Sequence, residues 1–121
     1  MAEKLCQLKK KGSSSVPEPY VYISGNNNIN THYGELTASI SASECSNNVI
    51  FIVLVGNKTK MLWTLSSGTD TLRFLCIKKD GSIEKNLWSS GTQIDVSSYV
   101  LITWFAYQGS TVNKNQTVTL S

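Results

Sequence analysis

A chain of 121 residues has room for one domain, and 40% hydrophobic with 16% charged residues sets it among globular rather than disordered proteins. The net charge of +3 sits in residues 1–12, where Lys4, Lys9, Lys10 and Lys11 outnumber Glu3, while cations and carboxylates balance in the remainder. That partition argues against a nucleic-acid-binding face on the body. Three cysteines without paired spacing and a single histidine argue against a disulfide framework or a zinc site.

The chain divides into a basic N-terminal arm (1–12), a linker (13–19) and a body (20–121). The segment Met1–Lys11 has none of the apolar run of roughly 7–15 residues that a signal peptide needs, so no export signal is expected. Gly, Ser and two prolines in GSSSVPEP make the stretch after the arm a flexible to extended tether. The arm reads equally as an anchor or as a disordered end.

The body begins with a short strand at Tyr20–Ser24, its two tyrosines on one face. A polar loop follows, Gly25 to Gly34, rich in turn-forming asparagine. Leu36, Ala38, Ile40 and Ala42 alternate with Thr37, Ser39 and Ser41, the period of two that marks a strand with one buried face. Val49 to Val55 is apolar at every position, which predicts a central strand covered on both sides, and the turn Asn57–Lys60 predicts that Met61–Leu65 is its hairpin partner.

Leu72, Phe74 and Cys76 share one face of the next strand, with Cys76 read as a small buried hydrophobe. Asp80-Gly81 is a tight-turn signal leading into Ile83–Trp88. Ile94 and Val96 flank Asp95. The run Val100–Tyr107 sets Val100, Ile102, Trp104 and Ala106 on one face against Leu101, Phe105 and Tyr107 on the other, and a last strand turns Val118 and Leu120 inward. No segment has helical periodicity. About eight short strands predict an all-β protein, an antiparallel β-sandwich of jelly-roll type with a flexible N-terminal arm. The longest apolar run is too short to cross a bilayer as a helix, so no membrane insertion is expected.

The chemistry-bearing residues are sparse. One histidine, no suggestively spaced carboxylate pair and no glycine-rich phosphate loop predict a non-enzymatic protein, and no motif requires a cofactor. Cys45 and His32 form a nucleophile pair only in composition. A glycan-contact patch is the better candidate: Asn28, Asn30, His32 and Tyr33 in the polar loop, with Trp88 at a strand end, combine amide hydrogen-bonding groups with rings that stack on sugars. The reading preferred for these asparagines is that they simply allow tight loop backbone. Trp63 and Trp104 lie inside apolar strand patterns and read as core. Tyr20, Tyr22 and Tyr107 suit either a homo-oligomer interface or packing across their own sheet.

The stretch Ile94-Asp-Val-Ser-Ser-Tyr-Val-Leu-Ile-Thr103 and the final strand Thr117–Leu120 resemble the closing segment of galactose-binding-like jelly rolls found in structural proteins of phages and prophages of Gram-positive gut bacteria. The opening Lys4-Leu-Cys-Gln-Leu-Lys-Lys10 with Gly12-Ser13 resembles short arms on virion proteins of the same phages. The resemblance implies an accessory virion protein, in capsid or tail, assembled in the bacterial cytoplasm with other virion proteins as partners. In that reading Leu5, Cys6 and Leu8 insert into a groove on the particle, while Lys4, Lys9, Lys10 and Lys11 meet acidic groups. A host-surface glycan is the alternative partner and self-assembly the third. The family's carbohydrate contacts do not carry over, because the loops hold no matching motif.

Overall fold

Strands with one apolar face bury it by closing two sheets on each other. The computed structural model describes residues 19–24, 36–40, 49–66, 70–106 and 114–121. Among them nine strands form two antiparallel sheets and there is no helix. The larger sheet sets β1 (Tyr20–Ser24), β3 (Ile50–Leu54), β8 (Tyr99–Phe105), β5 (Thr71–Lys78) and β6 (Ile83–Ser89) side by side in that order. The smaller has the order β2 (Thr37–Ile40), β9 (Gln116–Leu120), β4 (Lys60–Leu65) and β7 (Gln93–Asp95). Apart from the β5–β6 hairpin, every successive strand changes sheet. That is the winding of a jelly-roll-type sandwich, and the antiparallel β-sandwich expected from the pattern is the fold. The strand beyond the expected eight is β7, three residues around Asp95.

The inward residues of both sheets form one core that includes Val21, Ile23, Phe51, Val53, Met61, Phe74, Ile102 and Val118. Its centre is aromatic. Phe51 stacks on Trp104 with centroids 4.7 Å apart, Phe74 meets Trp104 at 4.6 Å, and Trp63 crosses from the smaller sheet to meet Phe74 edge-on at 5.4 Å. Fully burying each large apolar side chain stabilises the fold by roughly 1.5–3 kcal/mol. Trp63 and Trp104 are therefore core residues, as their strand patterns implied. Tyr20 and Tyr22 are buried too, leaving neither as an exposed patch.

Three expectations need correction. The turn at Asn57, with Gly56 at φ 58°, does not close a hairpin. It carries the chain across the sandwich, so β3 pairs with β1 and β8 while β4 pairs with β9 and β7. The apolar faces of β3 and β4 thus meet through the core instead of lying next to each other in one sheet. Second, β3 is covered on one side: Phe51 and Val53 are buried, while Ile50, Ile52 and Leu54 on the outer face are only half-buried. Leu36, read as part of a buried face, is likewise exposed just before β2.

The third correction concerns Val100. Simple alternation turns Val100 inward and Tyr99 outward, but the ladder between β5 and β8 shifts from Ile77↔Leu101 to Lys78↔Tyr99. The extra residue is Val100. A bulge re-aims the side chains beyond it, so Tyr99 is buried and Val100 is half-buried.

One polar group ties the sheets together. Gln116, fully buried on β9, accepts a hydrogen bond from Trp63 Nε1 (2.9 Å) and donates from Nε2 to the Ala106 carbonyl (2.6 Å). Gln116→Leu deprives the buried Trp63 Nε1 of its acceptor, and a buried unsatisfied group costs about 1–3 kcal/mol. Urea unfolding is expected to show a loss of that size, where a typical volume-conserving core change costs less than about 1.5 kcal/mol.

Candidate functional site

The inner face of β6 carries the densest polar cluster among the described residues. Asp80-Gly81, with Gly81 at φ 89°, closes the hairpin that brings Glu84, Asn86 and Trp88 opposite Cys76, Phe74 and Leu72. The Tyr99 hydroxyl donates to Glu84 Oε1 at 2.5 Å. Asn86 Nδ2 lies 3.0 Å from that oxygen, 3.3 Å from the Tyr99 hydroxyl and 3.4 Å from Cys76 Sγ. Lys78 Nζ stands 3.7 Å from Glu84 Oε2.

These contacts set the chemistry. The Tyr99 hydroxyl, followed by the Asn86 amide, holds the Glu84 carboxyl below its usual range. Burial, then the Glu84 contact, pushes the Tyr99 phenol up to about 12. Burial raises the Cys76 thiol, against a smaller lowering by Asn86. A thiol and a phenol kept protonated at neutral pH act neither as nucleophile nor as general base. The cluster is a latch across the end of the core, over which Trp88 closes with ring centroids 4.9 Å from Phe74 and 6.1 Å from Tyr99. Among the described residues no group of three or more His, Cys, Asp or Glu is placed to hold a metal ion.

The opposite face of this sheet is different. Registers across β3, β8, β5 and β6 align Ile50 with Phe105, Thr103 with Leu75 and Lys85, and Leu101 with Ile77 and Ile83. No described strand packs over these rows. Ile83 is 65% exposed, Leu87 63% and Phe105 58%, and Leu75 is also exposed. The residues of four strands line an open groove of about 790 Å³, with Ile50, Leu75, Leu87 and Phe105 as its apolar wall and Arg73 and Lys85 as its charges. Thr103 contributes little polarity, since its hydroxyl donates to the Phe51 carbonyl at 2.8 Å. The groove offers apolar contact area and positive charge.

Of the residues singled out in sequence, the arm (Lys4, Leu5, Cys6, Leu8, Lys9, Lys10, Lys11) lies outside the described residues, as do Asn28, Asn30, His32, Tyr33, Cys45 and Tyr107. Trp88 is described: half-buried, on the inner face, with its ring against the core. It lies on the side of β6 opposite Leu87 and the groove. Sequence reasoning did not single out the groove. Its signal was present in the strands that are apolar on both faces, namely Val49–Val55, Leu72–Ile77 and Val100–Phe105. No protein-family model, curated protein or solved structure matches the chain.

The latch predicts an acid limb in stability. Because folding depresses the Glu84 pKa, its contribution is complete above the ordinary carboxylate range and fades as pH falls through the lowered folded value. Asp80 and Asp95, depressed chiefly by the hydroxyls of Ser82 and Ser97, act in the same direction. Thermal melts should show Tm falling on acidification from pH 5 toward pH 2, less steeply for Glu84→Gln. Tyr99→Phe should destabilise by about 1–3 kcal/mol at pH 7, through loss of a hydrogen bond to a charged group.

Proposed function

We propose that the chain is a non-enzymatic accessory structural protein of a phage particle, in capsid or tail, that works by surface contact. The outer face of the five-stranded sheet meets another virion protein, and the basic segment 1–12 anchors the domain. The carrying observation is the groove face, where Ile83, Leu87 and Phe105 stay more than half exposed. Apolar side chains grouped this way on one sheet face are the composition of a contact surface. The latch at Glu84, Asn86 and Tyr99 supports the same reading, because its groups are spent on one another. The segments that resemble phage structural proteins supply the setting.

A carbohydrate-recognition module is the second reading, favoured by one observation: the exposed Phe105 ring at a groove that also holds Arg73 and Lys85. It predicts binding on a glycan array that Phe105→Ala abolishes while thermal stability is unchanged.

The primary reading is tested on purified particles of the phage that encodes the chain. The protein should be present at fixed stoichiometry. A variant lacking residues 1–12 should be lost from the particles while its circular dichroism is unchanged. The pair Leu87→Asp with Phe105→Asp should weaken association without unfolding the domain, since both side chains are exposed. Absence of the chain from the particles sinks the structural role; undiminished association of the truncated form removes the anchor, and of the double variant the contact face.

A further inference from the structure

A chain ages chemically where the backbone nitrogen of one residue can attack the side-chain carbonyl carbon of an aspartate or asparagine just before it. A side chain on the attacking residue hinders the approach, and glycine has none. Aspartate occurs three times in the chain, followed by Thr71, Gly81 and Val96, and no asparagine precedes a glycine. Asp80-Gly81 is thus the one such unhindered step. Asp80, Gly81 and Ser82 are all exposed at the tip of the β5–β6 hairpin, and a Cβ at Gly81 would meet nothing within 4 Å.

Hydrogen bonds, not packing, guard this step. Ring closure requires Asp80 Cγ to come over the Gly81 nitrogen, the Gly81 amide to give up its own hydrogen bond, and the carboxyl to be protonated so that an oxygen can leave as water. Each requirement is opposed. Asp80 Oδ1 accepts from the Ser82 hydroxyl at 2.6 Å and from the Ser82 amide at 2.9 Å, which holds the carboxyl toward Ser82. Gly81 N donates to the Lys78 carbonyl at 2.9 Å. The Ser82 hydroxyl, followed by its amide, favours the charged carboxylate and keeps its pKa below the usual range.

Asp95 shows what is particular to this turn. Its Oδ1 accepts from Ser97 in the same way, at 2.7 Å from the hydroxyl and 3.0 Å from the amide. The residue between them is Val96, β-branched and fully buried, so the backbone nitrogen there is screened by its own side chain. Gly81 has no such screen, and the safety of Asp80 rests on Ser82.

We infer that Asp80-Gly81 is a latent site of aspartate isomerisation and that Ser82 sets its rate. In the reaction the Gly81 nitrogen forms a bond to Asp80 Cγ while the bond from Cγ to one carboxyl oxygen breaks. That oxygen leaves as water, carrying the acid proton and the amide proton. Water then opens the five-membered imide, and opening at the backbone carbonyl routes the main chain through Cγ as isoaspartate, one atom longer. The added atom falls inside the turn that joins Lys78 to Ser82, where Lys78 N donates to Ser82 O at 2.9 Å and the β5–β6 ladder begins. It therefore displaces the register that sets Glu84 and Asn86 against Tyr99 and Cys76. The chemistry is independent of what the outer face binds.

The test ages the full chain at neutral pH below its melting transition, beside a synthetic peptide of residues 78–84, and counts isoaspartate at residue 80 by peptide mapping with mass spectrometry. The peptide, which has no ladder to hold the turn, is expected to isomerise about tenfold faster than the folded chain or more. Ser82→Ala should raise the rate of the folded chain by about threefold or more. Ser82→Thr keeps both donors and should retain the wild-type rate. Ser97→Ala, the matched loss at Asp95, should leave residue 80 unchanged. A folded chain that isomerises as fast as the peptide overturns the inference, as does Ser82→Ala no faster than wild type. Equal acceleration by Ser82→Thr or by Ser97→Ala overturns it too, because the cause would then be general loosening of the domain and not the hydrogen bonds from Ser82.

Discussion

The sandwich depends on one buried amide. Gln116 sits in an otherwise apolar core where an unpartnered carboxamide would be costly, and it is accommodated because Trp63 donates to it and the Ala106 carbonyl receives from it. Trp63 and Gln116 belong to the smaller sheet, and Ala106 follows β8 of the larger one. Three polar groups thus satisfy one another only when the sheets stand in a single register. Hydrophobic burial is non-directional; it draws the sheets together without choosing among neighbouring alignments. The amide makes that choice. The aromatic contacts that radiate from it, Trp63 on Phe74 and Phe74 on Trp104, then fill the space between the sheets.

The two faces of the larger sheet are put to different use. Inside, even the polar side chains at the β6 end are consumed: Glu84 receives Tyr99 and Asn86, and Trp88 closes over them. Outside, the alternation that ordinarily places polar residues toward solvent is only partly kept. Leu75 and Phe105 alternate with inward apolar residues, and Ile83 and Leu87 with Glu84, Asn86 and Trp88, so on the outer face apolar side chains stand where only the inner face meets a second sheet. Surfaces of this kind are poorly solvated until something covers them. β6 is both the rim of that surface and an edge of its sheet.

Much of this was legible beforehand. The β5–β6 hairpin follows from Asp80-Gly81 and the two patterns flanking it, since a turn that needs positive φ admits few residues and the strands must then be adjacent. The core roles of Phe74, Cys76, Trp63 and Trp104 follow from period-two patterning. The hairpin predicted at Asn57–Lys60 failed because a turn signal states that the chain reverses, not whether the returning strand stays in its sheet or crosses to the other. Val100 was misplaced because a bulge adds one residue and inverts every face before it, and nothing in Val100 announces one.

The sequence by itself determined the class and the materials: strands rather than helices, an apolar face on each, a body whose charges balance and a basic arm. Those are local properties, set by side-chain alternation and turn chemistry. Only the tertiary structure decided which apolar faces are covered. Val49–Val55 and Leu72–Ile77 look alike as strings whether a second layer lies over one side or both. That distinction depends on how many sheets the chain can build and where they stack, a long-range outcome that turns the surplus apolar side chains of β3, β5, β6 and β8 into a groove instead of more core.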